Sequence, residues 1–251
     1  MDLNLSGKIA LVTGSSHGIG LHIAKMLSAE GCKLILNGRN SKSLEAIVQK
    51  IPSADYVVGD VSTAIGASEV IKAGVAIHGR VDILVCNVGS GASVPPGIED
   101  EEEWLRVFRK NLLATTNTVA AARPHLSQSG GVILCISSIC GSAAIDGAPI
   151  AYSASKAALN TFVSNSARYL AKEKVRINAL APGNILFEGS SWHQKLHDDP
   201  DKVTAMLNKE VALGRFGQAD EVASMAVFLC SDRSSFATGT LFVLDGGQIR
   251  N

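Results

Sequence analysis

Seven short apolar runs, separated by longer segments of helical spacing, constrain this chain more than any other feature. They fall at 9–13, 33–37, 56–59, 83–87, 132–137, 176–181 and 241–244. Strands alternating with helices build βαβ units, and right-handed crossovers lay such strands into one parallel sheet. Runs as continuous as Ile-Leu-Val-Cys suit a sheet covered on both faces. The expectation is an α/β chain with a doubly wound, Rossmann-type parallel sheet of about seven strands in one domain, residues 1–251. At 251 residues and 46% hydrophobic, the chain is large enough to bury that core. Ligands of such sheets bind beyond the carboxyl ends of the strands, where the strand order reverses. Gly14, Asn87 and Ser138 each follow an expected strand end and should meet there.

The first run leads into Gly14-Ser-Ser-His-Gly18-Ile-Gly20 and then a helical pattern. Strand, glycine turn and helix N-terminus is the layout that brings backbone N–H groups onto a pyrophosphate. Gly14, Ser16, His17, Gly18, Ile19 and Gly20 are therefore candidate dinucleotide ligands. Further along, Tyr152 and Lys156 stand four residues apart on an expected helix, one turn from each other. A phenol titrates near 10 and is a poor acid at neutral pH; a neighbouring ammonium favours its anion and makes it a better proton donor. Ser138 lies fourteen residues before Tyr152. Phenol, ammonium and hydroxyl together suit general-acid catalysis at a carbonyl.

With these motifs in this order, the chain resembles the short-chain dehydrogenase/reductase family, and its 3-oxoacyl-ACP reductase-like members in particular, over nearly its whole length. The likeness rests on Thr13–Gly20, Asp60-Val61, Cys86-Asn87-Val88-Gly89, Asn111 in Lys-Asn-Leu, Ser138, Tyr152 with Lys156, Pro182-Gly183 and Asp245–Gly247. Two departures stand out. Cys86 and Val88 replace Asn and Ala, and Phe187 stands where many members carry Thr near the carboxamide. The resemblance implies Asn111, Ser138, Tyr152 and Lys156 as the catalytic tetrad. It implies Asp60, Val61, Asn87, Gly89, Pro182, Gly183 and Ile185 as coenzyme contacts, joined by Tyr152 and Lys156. It also implies a homotetramer or homodimer, built through the helices after strands four and five and through the last strand.

The second strand ends Asn37-Gly38-Arg39. A carboxylate there would hold the adenosine ribose hydroxyls and select NAD, whereas an arginine accommodates a 2′-phosphate. Gly38 offers no carboxylate and Arg39 follows at once, so NADP(H) is expected over NAD(H), with Asn37 and Arg39 as contacts. The implied chemistry is hydride exchange between a ketone and a secondary alcohol, with Tyr152 as general acid/base and Ser138 steadying the oxygen. Admissible substrates are a 3-oxoacyl thioester, or a keto-sugar or polyol; a non-catalytic dinucleotide sensor or scaffold is the alternative of another class. Retention of the whole tetrad favours the enzyme.

Residues from about 183 to 212 are expected to form a substrate lid, irregular to about Asp201. Trp192 is its apolar plate, and His193, Lys195 and His197 are its donors. His193 and His197 stand four apart, but no cysteine cluster or glutamate completes a zinc site, and no metal is expected. The 23 basic and 23 acidic side chains balance, so no nucleic-acid face is indicated. No apolar stretch is long enough for a membrane span. Five cysteines in apolar segments, with no Cys-x-x-Cys pair, suit a reducing cytoplasm.

Overall fold

The computed structural model describes residues 1–250. Its elements run β1 (Ile9–Val12), α1 (Gly18–Ala29), β2 (Lys33–Gly38), α2 (Ser41–Val48), β3 (Ala54–Val58), α3 (Ala64–His78), β4 (Ile83–Cys86), α4 (Glu101–Phe108) and α5 (Ala114–Ser129). There follow β5 (Val132–Ile136), α6 (Ile150–Ala171), β6 (Arg176–Pro182), β7 (Ile185–Leu186), α7 (Ser191–Asp198), α8 (Pro200–Glu210), β8 (Gly217–Gln218), α9 (Ala219–Cys230) and β9 (Leu241–Leu244). The seven longer strands form one sheet in the order β3-β2-β1-β4-β5-β6-β9, every pairing parallel. This is the Rossmann-type sheet expected. β1 pairs with both β2 and β4, so the strand order reverses at its carboxyl end.

Alternation along each strand divides the core in two. Ala10, Val12, Leu34 and Leu36 face one side and pack under α1 and α9, while Ile9, Leu11 and Ile35 face the other and pack under α5 and α6. Leu11, Leu34, Ile35 and Leu36 are fully buried, each contributing about 1.5–3 kcal/mol by the area it removes from water. A covered central strand has no polar face to show, which is why these segments read as unbroken apolar runs.

Two features depart from the expected picture. Residues 183–201 are not irregular: they hold β7, paired in parallel with β8 as a second small sheet, and all of α7. The Ser190 hydroxyl caps α7 by accepting from His193 N, and Asp199 caps α8 ahead of Pro200 in its first turn. The helix expected after strand four is interrupted at Arg109–Leu113 by a π-helical turn that contains Asn111. Such turns re-aim the side chains on either side of them.

Candidate active site

A cavity of about 1670 Å³ opens along the carboxyl ends of β1, β2, β4, β5 and β6. The glycine loop forms part of its wall. Gly14 and Gly18 have φ of +62° and +56°, a region that strains any residue with a Cβ. At Gly20 a Cβ would lie 2.4 Å from Asn87 Nδ2 and 2.6 Å from the Gly14 carbonyl, so loop and β4 touch through glycine alone. Asn87 fixes this contact: its Nδ2 donates to the carbonyls of Thr13 and Gly14, and its N–H donates to Thr13 Oγ1 at 3.0 Å. His17 is the N-cap of α1 yet makes no side-chain cap, and the first turn carries no acidic residue. The leading N–H groups of α1 therefore meet the cavity with no protein acceptor supplied by a cap, as an anion-binding terminus requires. This cradle fits the pyrophosphate of a dinucleotide.

The end of the cavity expected to take the adenosine is bordered by Asp60 and Val61. Asn37 lines it, but its side chain is directed elsewhere, donating to the carbonyls of Val57 and Gly59 and so lashing β2 to β3. Asn37 thus latches β2 to β3 through Nδ2 while remaining on the cavity wall. Gly38 does not need its freedom: a Cβ there would meet only Leu44 and Ser16 atoms at an ordinary 3.6 Å. Arg39 follows on the cavity rim. Burial alone would raise the Asp60 carboxyl, but the Ser62 N–H, its hydroxyl, Arg39 and Lys110 outweigh it and hold it below its usual range.

At the reaction end, β5 runs into Ser137 and Ser138. Both serines line the cavity, but the Ser137 hydroxyl is bound to Asn160 Oδ1 at 2.5 Å. Ser138 Oγ accepts the Cys140 N–H at 3.2 Å, so its own proton is free to point outward. Tyr152 and Lys156 project from the first two turns of α6, with the lysine Nζ 5.9 Å from the phenol ring centroid. Lys156, 3% exposed, donates to the Ile136 carbonyl at 2.8 Å. Burial pushes the Tyr152 phenol up to about 12, opposed by the nearby Ser138 hydroxyl and reinforced by Cys140. Burial likewise draws the Lys156 ammonium down to about 8, against the pull of Cys135 and Cys140. With Nζ turned to Ile136, desolvation is the largest influence on the phenol.

Asn111 and Gly20 do not line the cavity; the other expected site residues do. Asn111 works from behind. Its Oδ1 accepts Ser90 N–H at 2.8 Å, and its Nδ2 donates to the carbonyls of Ser90 and Val107 at 3.1 Å. Gly89 is wedged in front, where a Cβ would sit 2.9 Å from Asn111 Oδ1 and 3.2 Å from Lys156 Nζ. Pro182-Gly183 is backed by the last turn of the chain: a Cβ on Gly183 would strike Asp245 at 2.8 Å. Asp245 in turn accepts the N–H groups of Gly247 and Ile249. Ile185 lies just beyond on the cavity wall, and the Phe187 ring rests on Gly18, so near that a Cβ on Gly18 would be 2.7 Å away.

Over the mouth, Trp192 packs on Phe216 with ring centroids 5.4 Å apart and carries Lys195 Nζ 4.6 Å from its own. Trp192, Gln194 and Lys195 line the cavity, but His193 and His197 do not. The two histidines are thus removed from the expected set of donors, because a short helix shows only one face to the opening. No group of three or more metal-ligating side chains occurs among the described residues.

Residues Glu99 to Glu103 form an acidic run at the start of α4. Asp100 does cap α4, with Glu101 and Glu102 in its first turn. Glu99 instead bridges the loop and the catalytic helix, its two oxygens accepting Gly97 N–H at 2.7 Å and Ile150 N–H at 2.9 Å. Glu103 turns back on the same loop, accepting from Ser93 and Val94, and Arg106 and Ser93 hold its carboxyl down to about 2. A carboxylate cap supplied from 51 residues away leaves no sequence signal.

Comparison with known proteins agrees with this geometry. The family model described as enoyl-(acyl carrier protein) reductase matches residues 14–248. The 3-oxoacyl-(acyl carrier protein) reductase of Thermotoga maritima is 33% identical over 254 residues, covering 98% of this chain and 100% of the relative. Among solved structures, the L-sorbose reductase of Gluconobacter frateurii, complexed with NADPH and L-sorbose, superposes with a TM-score of 0.92 at 29% identity, covering 100% of both chains. A 7α-hydroxysteroid dehydrogenase complexed with NADH superposes with a TM-score of 0.91 at 27% identity, covering 100% of this chain and 97% of that one.

Proposed function

Because this chain belongs to the short-chain dehydrogenase/reductase family of NAD(P)-dependent oxidoreductases acting on CH–OH groups, we propose that it interconverts a ketone and a secondary alcohol with NADP(H), using Tyr152 as general acid/base. The observation that carries this reading is the convergence of Ser138, Tyr152 and Lys156 on the cavity that the uncapped start of α1 enters. When bound, the nicotinamide supplies or accepts a hydride at the carbonyl carbon. Tyr152 gives the matching proton from its phenol to the carbonyl oxygen in reduction and takes it back in oxidation. Ser138, its oxygen occupied by the Cys140 N–H, donates its proton to the same substrate oxygen and stabilises the charge developing there. Lys156 uses one donor on Ile136 and keeps two for the coenzyme ribose. Asn111 positions the Ser90 loop against Gly89, and that loop lies over Tyr152: a Cβ on Gly91 would touch the phenol ring at 3.9 Å.

NADP(H) is favoured by Gly38, which offers no carboxylate, and by Arg39 beside it on the cavity wall. A Cβ would be accommodated at Gly38, and the absence of a carboxylate there removes the repulsion that rejects a 2′-phosphate. For the substrate, the first reading is a 3-oxoacyl thioester, in line with the reductase of Thermotoga maritima and with an apolar wall of Val94, Pro95, Ile139, Ile145 and Trp192. The second is a hydroxylated ketone, favoured by Ser93, Asp146, Gln194 and Lys195 on the same cavity. Exposed Leu105, Leu113 and Tyr169 on the α4–α6 side, and Phe236 and Val243 around edge strand β9, support assembly into a tetramer through both faces.

The test is consumption of NADPH and of NADH by the wild type and by Tyr152→Phe, against 3-oxoacyl thioesters, keto-sugars and diketones. NADPH-linked turnover that disappears in the variant is the expected result, and the accepted substrate chooses between the two readings. NADH used as well as NADPH would overturn the coenzyme assignment.

A further inference from the structure

We infer that Lys110 is a second cation for the 2′-phosphate of the coenzyme, closing with Arg39 a clamp over the adenosine ribose; this rests on the NADP(H) reading above. Lys110 precedes Asn111 inside the π-helical turn, and Ala114, about one turn later, packs on Val61 with Ala67 and Val70. Lys110 is thereby brought to the Asp60-Val61 edge of the cavity, across from Arg39 at the end of β2. The loop after Val61 is also pinned to this helix, Asn117 Nδ2 donating to the Ser62 carbonyl at 3.3 Å.

Two cations with no protein partner therefore face one cavity. Among the described residues, neither Arg39 nor Lys110 takes part in an ion pair, whereas Arg80, Arg106, Arg123 and Arg215 all do. Asp60, the nearby carboxylate, is engaged by the Ser62 N–H at 2.9 Å. Partial burial, then the charges of Arg39 and Arg106, make the Lys110 ammonium less favourable than in water, with Asp60 offsetting only part. A dianionic phosphate between Lys110 and Arg39 reverses that repulsion and gives both donors an acceptor. A monoester on the ribose has the required charge and position; a free 2′-hydroxyl has neither.

The experiment is calorimetric titration of the full chain with adenosine 2′,5′-bisphosphate and with 5′-AMP, which differ only in the 2′-phosphate. The wild type is expected to bind the bisphosphate at least about tenfold tighter, the scale of a charged hydrogen bond. Lys110→Ala should lower that ratio about tenfold with 5′-AMP binding unchanged, and Lys110→Arg should restore most of it. Added salt should weaken the bisphosphate less in Lys110→Ala than in the wild type. Equal weakening of both ligands in Lys110→Ala would overturn the inference and make Lys110 a packing residue. So would an unchanged ratio in Lys110→Ala while Arg39→Ala loses discrimination, which leaves the coenzyme reading standing. A wild type that does not discriminate at all would remove the NADP(H) reading and this inference together.

Discussion

The two ends of the sheet are built from the same strands and treat their polar groups in opposite ways. At the amino ends, side chains close off the backbone. Asp82 accepts the Ile9 N–H at 2.8 Å and is braced by Arg80, whose guanidinium also reaches the Gly7 carbonyl. Arg176 donates to the carbonyls of Ala237, Leu229 and Ser231. At the carboxyl ends the donors are held in place without being used up: the first turn of α1 is uncapped, Ser138 keeps its proton, and among the described residues Arg39 and Lys110 form no ion pair. One end satisfies the fold and the other is pre-organised for a ligand, the arrangement electrostatic catalysis needs. The cost falls on Lys156, whose ammonium is buried against a single carbonyl.

This contrast yields an ordered set of tests. Tyr152→Phe should reduce kcat by about 10²–10⁴, the usual worth of a positioned acid, while circular dichroism shows an unchanged fold. Gly20→Ala forces a Cβ onto Asn87 and should weaken dinucleotide binding by at least about tenfold, read by quenching of intrinsic fluorescence. The pH dependence follows from Tyr152 at about 12 and Lys156 at about 8. The phenol stays protonated near neutrality, so oxidation should accelerate as pH rises, whereas reduction should decline above about pH 8 as Lys156 loses its charge.

The same lysine sets a sign for stability. Its folded value lies below the unfolded ~10.4, so between the two the unfolded chain binds the extra proton. The Lys156 contribution to unfolding free energy should therefore increase with pH across that window, read as the difference between wild type and Lys156→Met in urea titrations, because buried Cys32 and Cys230, raised to about 12, contribute with the opposite sign in both proteins. At the opposite end, Asp82→Ala should cost about 1–3 kcal/mol of stability by stranding the Ile9 N–H, with KM for the coenzyme unchanged. A coenzyme defect in Asp82→Ala comparable to that of Gly20→Ala would break the division between the ends. The smallest effect is expected of Glu99→Gln, about a threefold loss of kcat with coenzyme affinity intact, since it only steadies the start of α6.

Much of this was legible because it is local. Unbroken apolar runs placed seven strands to within two residues, since a strand covered on both faces admits no other composition. Glycines marked the loop because Gly14 and Gly18 adopt positive φ. The lid reads worse. Its signals, Ser190 and the Asp199-Pro200 pair, were present as ordinary helix starts, yet the segment looked irregular because Trp192 and Leu196 pack on a small satellite cluster with Val203, Leu207 and Phe216, away from the main core.

From its sequence alone, the chain had already determined its strands, its glycine turn and the spacing of Tyr152 and Lys156, because these depend on neighbours within a few residues. Only the tertiary structure decided that Glu99 caps the catalytic helix, that Asn37 is a latch, that Lys156 turns to Ile136, and that Lys110 comes to share a cavity with Arg39. Each of those depends on groups from distant segments meeting in a low-dielectric interior, where burial and partners, and not residue type, set charge and bonding.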